Sequence, residues 1–132
     1  MATINLALNV QVVGGPKVLI SKSQSVEAYD KIEVAIEADG AKKSVEVQPG
    51  KADHVSFLLI QSSVYSSDIN YVVNDGLADS PTAITLDEPH LYFGKGAISA
   101  LGKSPKTLIF TNSITPATPA VIEILVGRDA TP

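Results

Sequence analysis

The pair Asp39-Gly40 lies between two stretches of alternating apolar and polar residues within positions 31–48. Asp-Gly is a strong signal for a two-residue hairpin loop, and a period of two residues is typical of strands with one buried face. Counting outward from the loop pairs Ala38 with Ala41, Ile36 with Lys43, Val34 with Val45, and Ile32 with Val47. The segment therefore predicts an antiparallel hairpin with its apolar face on a core.

Short strand patterns separated by turn signals continue along the chain. Positions 4–12 alternate, positions 18–20 are a second short strand candidate, and the serine-rich positions 21–25 are expected to be a connection. In all we predict about eight or nine strands, with turn signals about every 8–14 residues, which is typical of a sandwich or small barrel. Only the region near 96–102 is expected to form a short helical turn. The prediction is an all-β chain whose residues 1–132 form a single antiparallel β-sandwich domain, of jelly-roll or immunoglobulin-like type.

Composition excludes several kinds of chemistry. The chain has 132 residues, enough to bury a core without disulfides or metal. It contains no cysteine, which excludes disulfides, thiolate catalysis and cysteine-bound zinc. The formal net charge is −4 and Arg128 is the single arginine, so we expect no nucleic-acid partner.

The sequence predicts neither a signal peptide nor a membrane span. The apolar residues near the amino terminus alternate with polar ones, whereas a signal peptide has a basic start and a continuous apolar run. The longest continuous apolar run, Phe57–Ile60, is far too short to cross a bilayer. We therefore expect no membrane partner and a location in the cytoplasm or in a virion.

Candidate catalytic and metal-binding residues are few. His54 and His90 each precede an apolar strand, and we interpret them as strand-start residues rather than metal ligands or a general base. Residues 74–79 contain the oxygen donors of a calcium loop but not its spacing, so an ordinary turn is the preferred interpretation. Residues 94–96 lack most of a phosphate-binding loop. We expect no catalytic residues, no metal and no cofactor, and hence no enzyme.

Two tyrosines support an alternative function. Tyr29 and Tyr65 lie in polar, loop-like contexts, where an aromatic ring could stack on a sugar. The alternative hypothesis is accordingly a carbohydrate-binding, lectin-like β-sandwich module with Tyr29 and Tyr65 as ligand-binding residues.

Two long segments carry no charge. Positions 55–67 and 107–122 contain no Asp, Glu, Lys or Arg, and each includes a strand that would aggregate if its edge were open. Either these strands lie at the centre of a sheet, or they pair with a neighbouring subunit. The two possibilities are compatible.

The preferred functional hypothesis is a non-enzymatic structural or accessory subunit of a larger assembly. Its most concrete version is a decoration or cement-type protein of a phage or phage-like particle, and its partners would be copies of itself and a larger protein assembly. The expected interface residues are exposed apolar positions and the end of the chain at 127–132, represented by Ile4, Leu6, Ile114, Pro116, Pro119 and Arg128.

Overall fold

The structure, a computed structural model, describes residues 1–50 and 52–129, and the described part of the chain is mostly β-strand. One short helix, α1 (Lys95–Ser99), and a 3₁₀ turn at Ala52–His54 accompany the strands. The strands are β1 (Ala2–Gln11), β2 (Lys17–Val26), β3 (Ala28–Ile36), β4 (Lys43–Glu46), β5 (Val55–Ser62), β6 (Ile69–Asn74), β7 (Ile84–Thr85), β8 (His90–Phe93), β9 (Thr107–Asn112) and β10 (Ala120–Arg128).

Eight of these strands form two four-stranded antiparallel sheets. The first sheet has the order β3-β10-β5-β8, and the second has the order β4-β9-β6-β7. Four nested pairs, β3 with β10, β4 with β9, β5 with β8 and β6 with β7, alternate between the two sheets. This nested order is that of a jelly roll, a long antiparallel hairpin rolled into two facing sheets. The predicted all-β sandwich is confirmed, with the jelly-roll strand order.

The core lies between the two sheets and follows the two-residue period of the strands. Tyr71 and Phe110, on neighbouring strands of the second sheet, are completely buried, as are Ile122 and Ile124 on β10 of the first. The uncharged strands β5 and β9 are central, because each has a hydrogen-bonded neighbour on both sides. Their central position protects the backbone edges that would otherwise promote aggregation.

The predicted hairpin around Asp39-Gly40 is wrong in its pairing, although the alternation was interpreted correctly. β3 pairs with β10 in the first sheet, and β4 pairs with β9 in the second, so residues 37–42 cross from one sheet to the other. The turn itself is present: Gly40 has a φ of 75°, and the Asp39 carboxylate accepts a hydrogen bond from the Ala41 amide at 2.9 Å. Two amphipathic strands can bury their apolar faces either as a hairpin within one sheet or as strands of two facing sheets. Both arrangements give the same alternation in the sequence.

We expect Gly40→Ala to lower the free energy of unfolding by about 1 kcal/mol, because a Cβ atom at positive φ crowds the following carbonyl. Urea denaturation measures this change. Gly96 in α1 is the matched control, since an added Cβ there has no other heavy atom within 4 Å. Gly96→Ala should leave stability unchanged or raise it slightly. Equal losses at both sites would contradict the left-handed turn at Gly40.

The first two strands form a hairpin that belongs to neither sheet of the sandwich. β1 and β2 pair along ten residues each, from Ala2 opposite Val26 to Gln11 opposite Lys17. We call this two-stranded sheet the arm. The predicted connection at 21–25 is wrong, since these residues belong to β2. The serines occupy every second position and therefore line one face of a strand. The prediction of a connection relied on the number of serines and not on this spacing.

Candidate interaction surface

The arm has one apolar face and one polar face. Residues directly opposite each other in an antiparallel pair lie on the same side of the sheet. The apolar face carries the pairs Ala2–Val26, Ile4–Gln24, Leu6–Lys22, Leu8–Ile20 and Val10–Val18. The opposite face, which we call the polar face, is mostly polar and carries the pairs Thr3–Ser25, Asn5–Ser23, Ala7–Ser21, Asn9–Leu19 and Gln11–Lys17. Leu19 is its one large apolar residue and is 68% exposed. The arm is therefore amphipathic, a pattern typical of antiparallel sheets that pack one face against other protein and leave the other in solvent.

The end of the arm nearest the sandwich packs closely on β10. A Cβ atom added to Gly127 would lie 2.8 Å from Cδ1 of Ile4 and 3.0 Å from Cγ1 of Val26, so only glycine allows this approach. The Gln24 side-chain amide also donates a hydrogen bond to the Ser56 carbonyl at 3.3 Å. These contacts fix the base of the arm to the first sheet.

The far half of the arm's apolar face is exposed. We call Leu8, Val10, Val18 and Ile20 the distal patch. Their exposed fractions are 37%, 50%, 55% and 40%, respectively. Beyond them, Val13 at the tip is 99% exposed. A two-stranded hairpin is marginally stable by itself, and a contiguous apolar patch on a protein surface commonly marks an interaction site. The distal patch is therefore a candidate site for burial against a partner.

The arm also has open backbone edges. Within the described residues, β1 and β2 pair only with each other, so the outer edge of each strand has no neighbouring strand. Neither strand contains proline, the residue that most directly blocks edge pairing. Lys17 and Lys22 are the only charges on these strands, and lysine is a common protection of exposed edges.

A second apolar surface lies on the first sheet, on the face pointing away from the second sheet, which we call the outer face. Leu125 of β10 is opposite Leu59 of β5, and Leu59 is opposite Leu91 of β8. All three side chains are partly exposed. We call these residues the leucine row, because they form a continuous apolar line across three neighbouring strands.

A groove of about 400 Å³ is lined by residues of both the base of the arm and the outer face. Ile4 lines it from the arm, while Tyr29 and Leu125 line it from the sheet. Thr3 and Asn5 of the arm also line the groove, which reaches Leu125 at one end of the leucine row.

A second groove, of about 260 Å³, lies further along the same outer face and is acidic. It is lined by Glu33 and Glu123, which are directly opposite each other on β3 and β10. Like charges in that position repel. Lys31 approaches Glu123 at 3.6 Å and offsets part of the repulsion. The outer face thus combines an apolar row with a neighbouring negative groove.

Two of the sequence-predicted interface residues, Ile4 and Leu6, lie on the apolar face of the arm, where both are partly buried. The distal patch was not singled out from the sequence. Its residues were recognised as strand positions, but an alternating strand is expected to cover its own chain's core, and no sequence signal indicated that this hairpin leaves the sandwich.

The other predicted interface residues lie elsewhere. Pro116 and Pro119 are exposed in the connection between β9 and β10, whereas the Ile114 side chain packs against the core. Arg128 is only 8% exposed, and its guanidinium pairs with Asp30 while donating to a backbone carbonyl of the same chain. Its position in this chain is that of a structural ion pair, and an interface role stays a prediction. Positions 130–132 lie outside the described residues.

The two candidate sugar-binding tyrosines are not adjacent. Tyr29 is exposed beside the 400 Å³ groove and is opposite Gly127 on β10. Tyr65 lies beyond the end of β5, where its hydroxyl accepts a hydrogen bond from the Ser62 amide at 3.1 Å. Ser62 is opposite Ile122, five residues along β10 from Gly127, so the two rings do not form one platform. Of the pair, Tyr29 is the one with a free aromatic surface.

A partly buried polar cluster links the two sheets. The Tyr71 hydroxyl on β6 lies 2.7 Å from Nδ1 of His90 and 3.2 Å from the hydroxyl of Tyr92, both on β8. Burial, reinforced by Tyr92, raises the pKa of Tyr71 well above its ordinary range, so the phenol stays protonated. Burial lowers the pKa of His90, and the nearby Asp87 partly opposes this effect. The cluster is therefore a neutral hydrogen-bonded bridge across the edge of the sandwich.

His54 lies apart from this cluster, at the end of the 3₁₀ turn that precedes β5, with Nε2 3.7 Å from the carboxylate of Asp53. Across the residues that the structure describes, no group of three or more His, Asp or Glu side chains is placed to hold a metal ion. The candidate loop at 74–79 is a turn: the Asp75 carboxylate accepts hydrogen bonds from the Ala78 and Leu77 amides, and these lower its pKa.

We expect the free energy of unfolding to decrease as the pH falls below 6.5, the ordinary pKa of histidine. Because the pKa of His90 is lower in the folded state, the unfolded chain takes up this proton first. The His90 contribution is thus complete above pH 6.5 and is lost as the pH falls through that value toward the lower folded pKa. Urea denaturation at about pH 7.5 and about pH 5.5 measures the effect.

His90→Gln is the matched variant for this test, since glutamine is polar but does not titrate. The free-energy difference between wild type and variant should change in the variant's favour at the lower pH. A difference that is the same at both pH values would show that His90 does not couple folding to protonation.

Comparisons of the chain with protein-family models, with curated proteins and with solved structures gave no match. Among the described residues, no helix has both the length and the apolar character needed to cross a membrane. The fold and the surface define the molecule at the level of a jelly-roll sandwich with a projecting amphipathic arm.

Proposed function

We propose that the protein is a non-enzymatic structural subunit that assembles with copies of itself through the arm. The observation that carries this proposal is the distal patch: four neighbouring apolar side chains on a projecting two-stranded sheet, each more than one-third exposed. Burying them removes apolar surface from water, and burial of one such side chain is worth about 1.5–3 kcal/mol when complete.

The architecture supports the same proposal. Jelly rolls form viral capsid subunits and also lectins. This analogy at the level of fold agrees with both the structural and the carbohydrate-binding function and does not choose between them. In a lattice, many modest contacts add through multivalency, so a modest contact at each arm contributes to the stability of the whole assembly. A decoration or cement-type protein of a phage or phage-like particle remains the most concrete version of the proposal. The carbohydrate-binding alternative now depends on Tyr29 alone.

The test replaces Leu8, Val10, Val18 and Ile20 by threonine, which keeps β-propensity but removes most of the apolar surface. We expect the dissociation constant for self-association, measured by sedimentation velocity, to rise about 100-fold, corresponding to a loss of about 3 kcal/mol. The melting temperature of the sandwich should change little, because these residues are exposed in the single chain.

The matched control changes the opposite face of the same arm, with Ala7→Thr, Asn9→Thr and Ser21→Thr, positions that are exposed and polar or small. This control should associate as wild type does. Equal weakening by both sets of changes would argue against the apolar face, and unchanged association in the distal-patch variant would refute assembly through the arm.

A further inference from the structure

We propose that the arm of one copy binds the outer face of the first sheet of a second copy, with its distal patch on the leucine row and Lys22 in the acidic groove. This inference rests on the proposed function and adds the receiving surface. Both surfaces are present on the same chain, and each is left partly open within it.

At the base of the arm, the arm's apolar face already packs against the outer face of the first sheet. Ile4 and Val26 on the arm's apolar face already contact the outer face of the same chain at Gly127. The distal patch extends that apolar face toward the tip of the arm. The leucine row extends from Leu125 across the neighbouring strands of the outer face. A second copy therefore offers the distal patch the same kind of surface that the base of the arm already covers.

Charge favours the same pairing. Residues 1–26 contain two lysines and no acidic residue, whereas residues 27–132 contain eight basic and fourteen acidic residues, a formal charge of −6. The arm is thus positive and the body of the molecule negative, which favours contact between an arm and the body of another copy. An arm-to-arm pairing would instead bring positive charges together.

The distance between an apolar and a charged residue is the same on the arm and on the outer face. On the arm, Lys22 is two residues from Ile20 on the same face; on β10, Glu123 is two residues from Leu125 on the same face. Two residues of a strand span about 7 Å in both cases. An arm with Ile20 near Leu125 can therefore place the Lys22 ammonium in the acidic groove. Glu123 already accepts from Gln61 and pairs with Lys31, so Glu33 is the carboxylate that Lys22 would approach.

The experiment uses the cysteine-free background of the full chain. Val10→Cys marks the distal patch in one preparation, and Leu59→Cys marks the centre of the leucine row in a second preparation with a different mass tag. The two are mixed with a short bismaleimide. We expect the mixed cross-linked species to form about tenfold faster than with Ser44→Cys, an exposed position on the second sheet.

Four other outcomes overturn the inference. Faster cross-linking of Val10→Cys with itself would show that arms pair with arms, and equal rates with Leu59→Cys and Ser44→Cys would show no preference for the outer face. An oligomeric wild type without the arm-to-row cross-link would overturn the receiving surface while the proposed function stands. A wild type that is monomeric throughout would overturn both.

A charge reversal gives a second readout that does not depend on cysteine. Lys22→Glu should raise the dissociation constant about tenfold, and Lys22→Glu combined with Glu33→Lys should recover most of that loss. Lys17→Glu, on the arm's polar face, is the matched control and should have a smaller effect. Failure of Glu33→Lys to rescue would contradict the placement of Lys22 in the acidic groove.

Discussion

Asn112→Ala is expected to lower the free energy of unfolding by about 3 kcal/mol or more, because it leaves buried backbone groups without partners. Asn112 is fully buried. Its side-chain amide donates to the Ile36 carbonyl at 3.1 Å and to the Thr118 carbonyl at 2.8 Å, and its oxygen accepts from the Ile114 amide at 3.1 Å. One side chain therefore joins the end of β3, the end of β9 and the connection to β10.

The control is Asn70→Ala, on the neighbouring strand β6, where the asparagine is partly exposed. We expect a change within about 0.5 kcal/mol there. Urea denaturation of both variants gives the comparison. Similar small losses at both positions would mean that water or a rearranged backbone satisfies the groups that Asn112 serves, and that this residue does not hold the sheets together.

Gly127→Val is expected to cost about 2–3 kcal/mol and to detach the base of the arm, because side-chain atoms occupy the space that the new residue needs. A Cβ atom there would lie 2.8 Å from Ile4, 3.0 Å from Val26 and 3.2 Å from Phe57. If the Ile4 side chain moves away from the new side chain, β1 separates from the outer face of the first sheet. Since the arm then loses its fixed direction, self-association should weaken as well.

Hydrogen exchange distinguishes this local effect from general unfolding. Amides of β1 and β2 should exchange much faster in Gly127→Val, while those of the central strands β5 and β9 keep most of their protection. Gly96→Val is the matched control, because the space around Gly96 is open. If arm protection stayed at the wild-type level, the contact between Gly127 and the arm would not be what orients it.

Most of the sandwich was predictable because burial enforces a period of two residues on a half-buried strand. The alternation identified which residues of β3 and β4 face the core, and the lack of charge in β5 and β9 was consistent with central strands. Strand pairing was not predictable from the same signal. Asp39-Gly40 makes a tight turn in a hairpin and also in a crossing between sheets, so its local chemistry does not reveal which partner each strand takes.

The arm shows a different limit of sequence reasoning. Its apolar positions have the pattern of an ordinary core strand, and Ile4 at its base does contact the sandwich. The exposure of Val10 and Val18 depends on where the hairpin leaves the sandwich, a tertiary feature that no short window contains. The leucine row was equally hidden, since Leu59, Leu91 and Leu125 are far apart in sequence and become neighbours only through the jelly-roll order.

Light scattering on a sizing column across a concentration series measures whether the exposed arm is an assembly element. The chain has a mass of 13.8 kDa. We predict a species whose mass is a multiple of this value and whose population grows with concentration. A strict 13.8 kDa monomer at the highest concentration attainable would refute assembly through the arm.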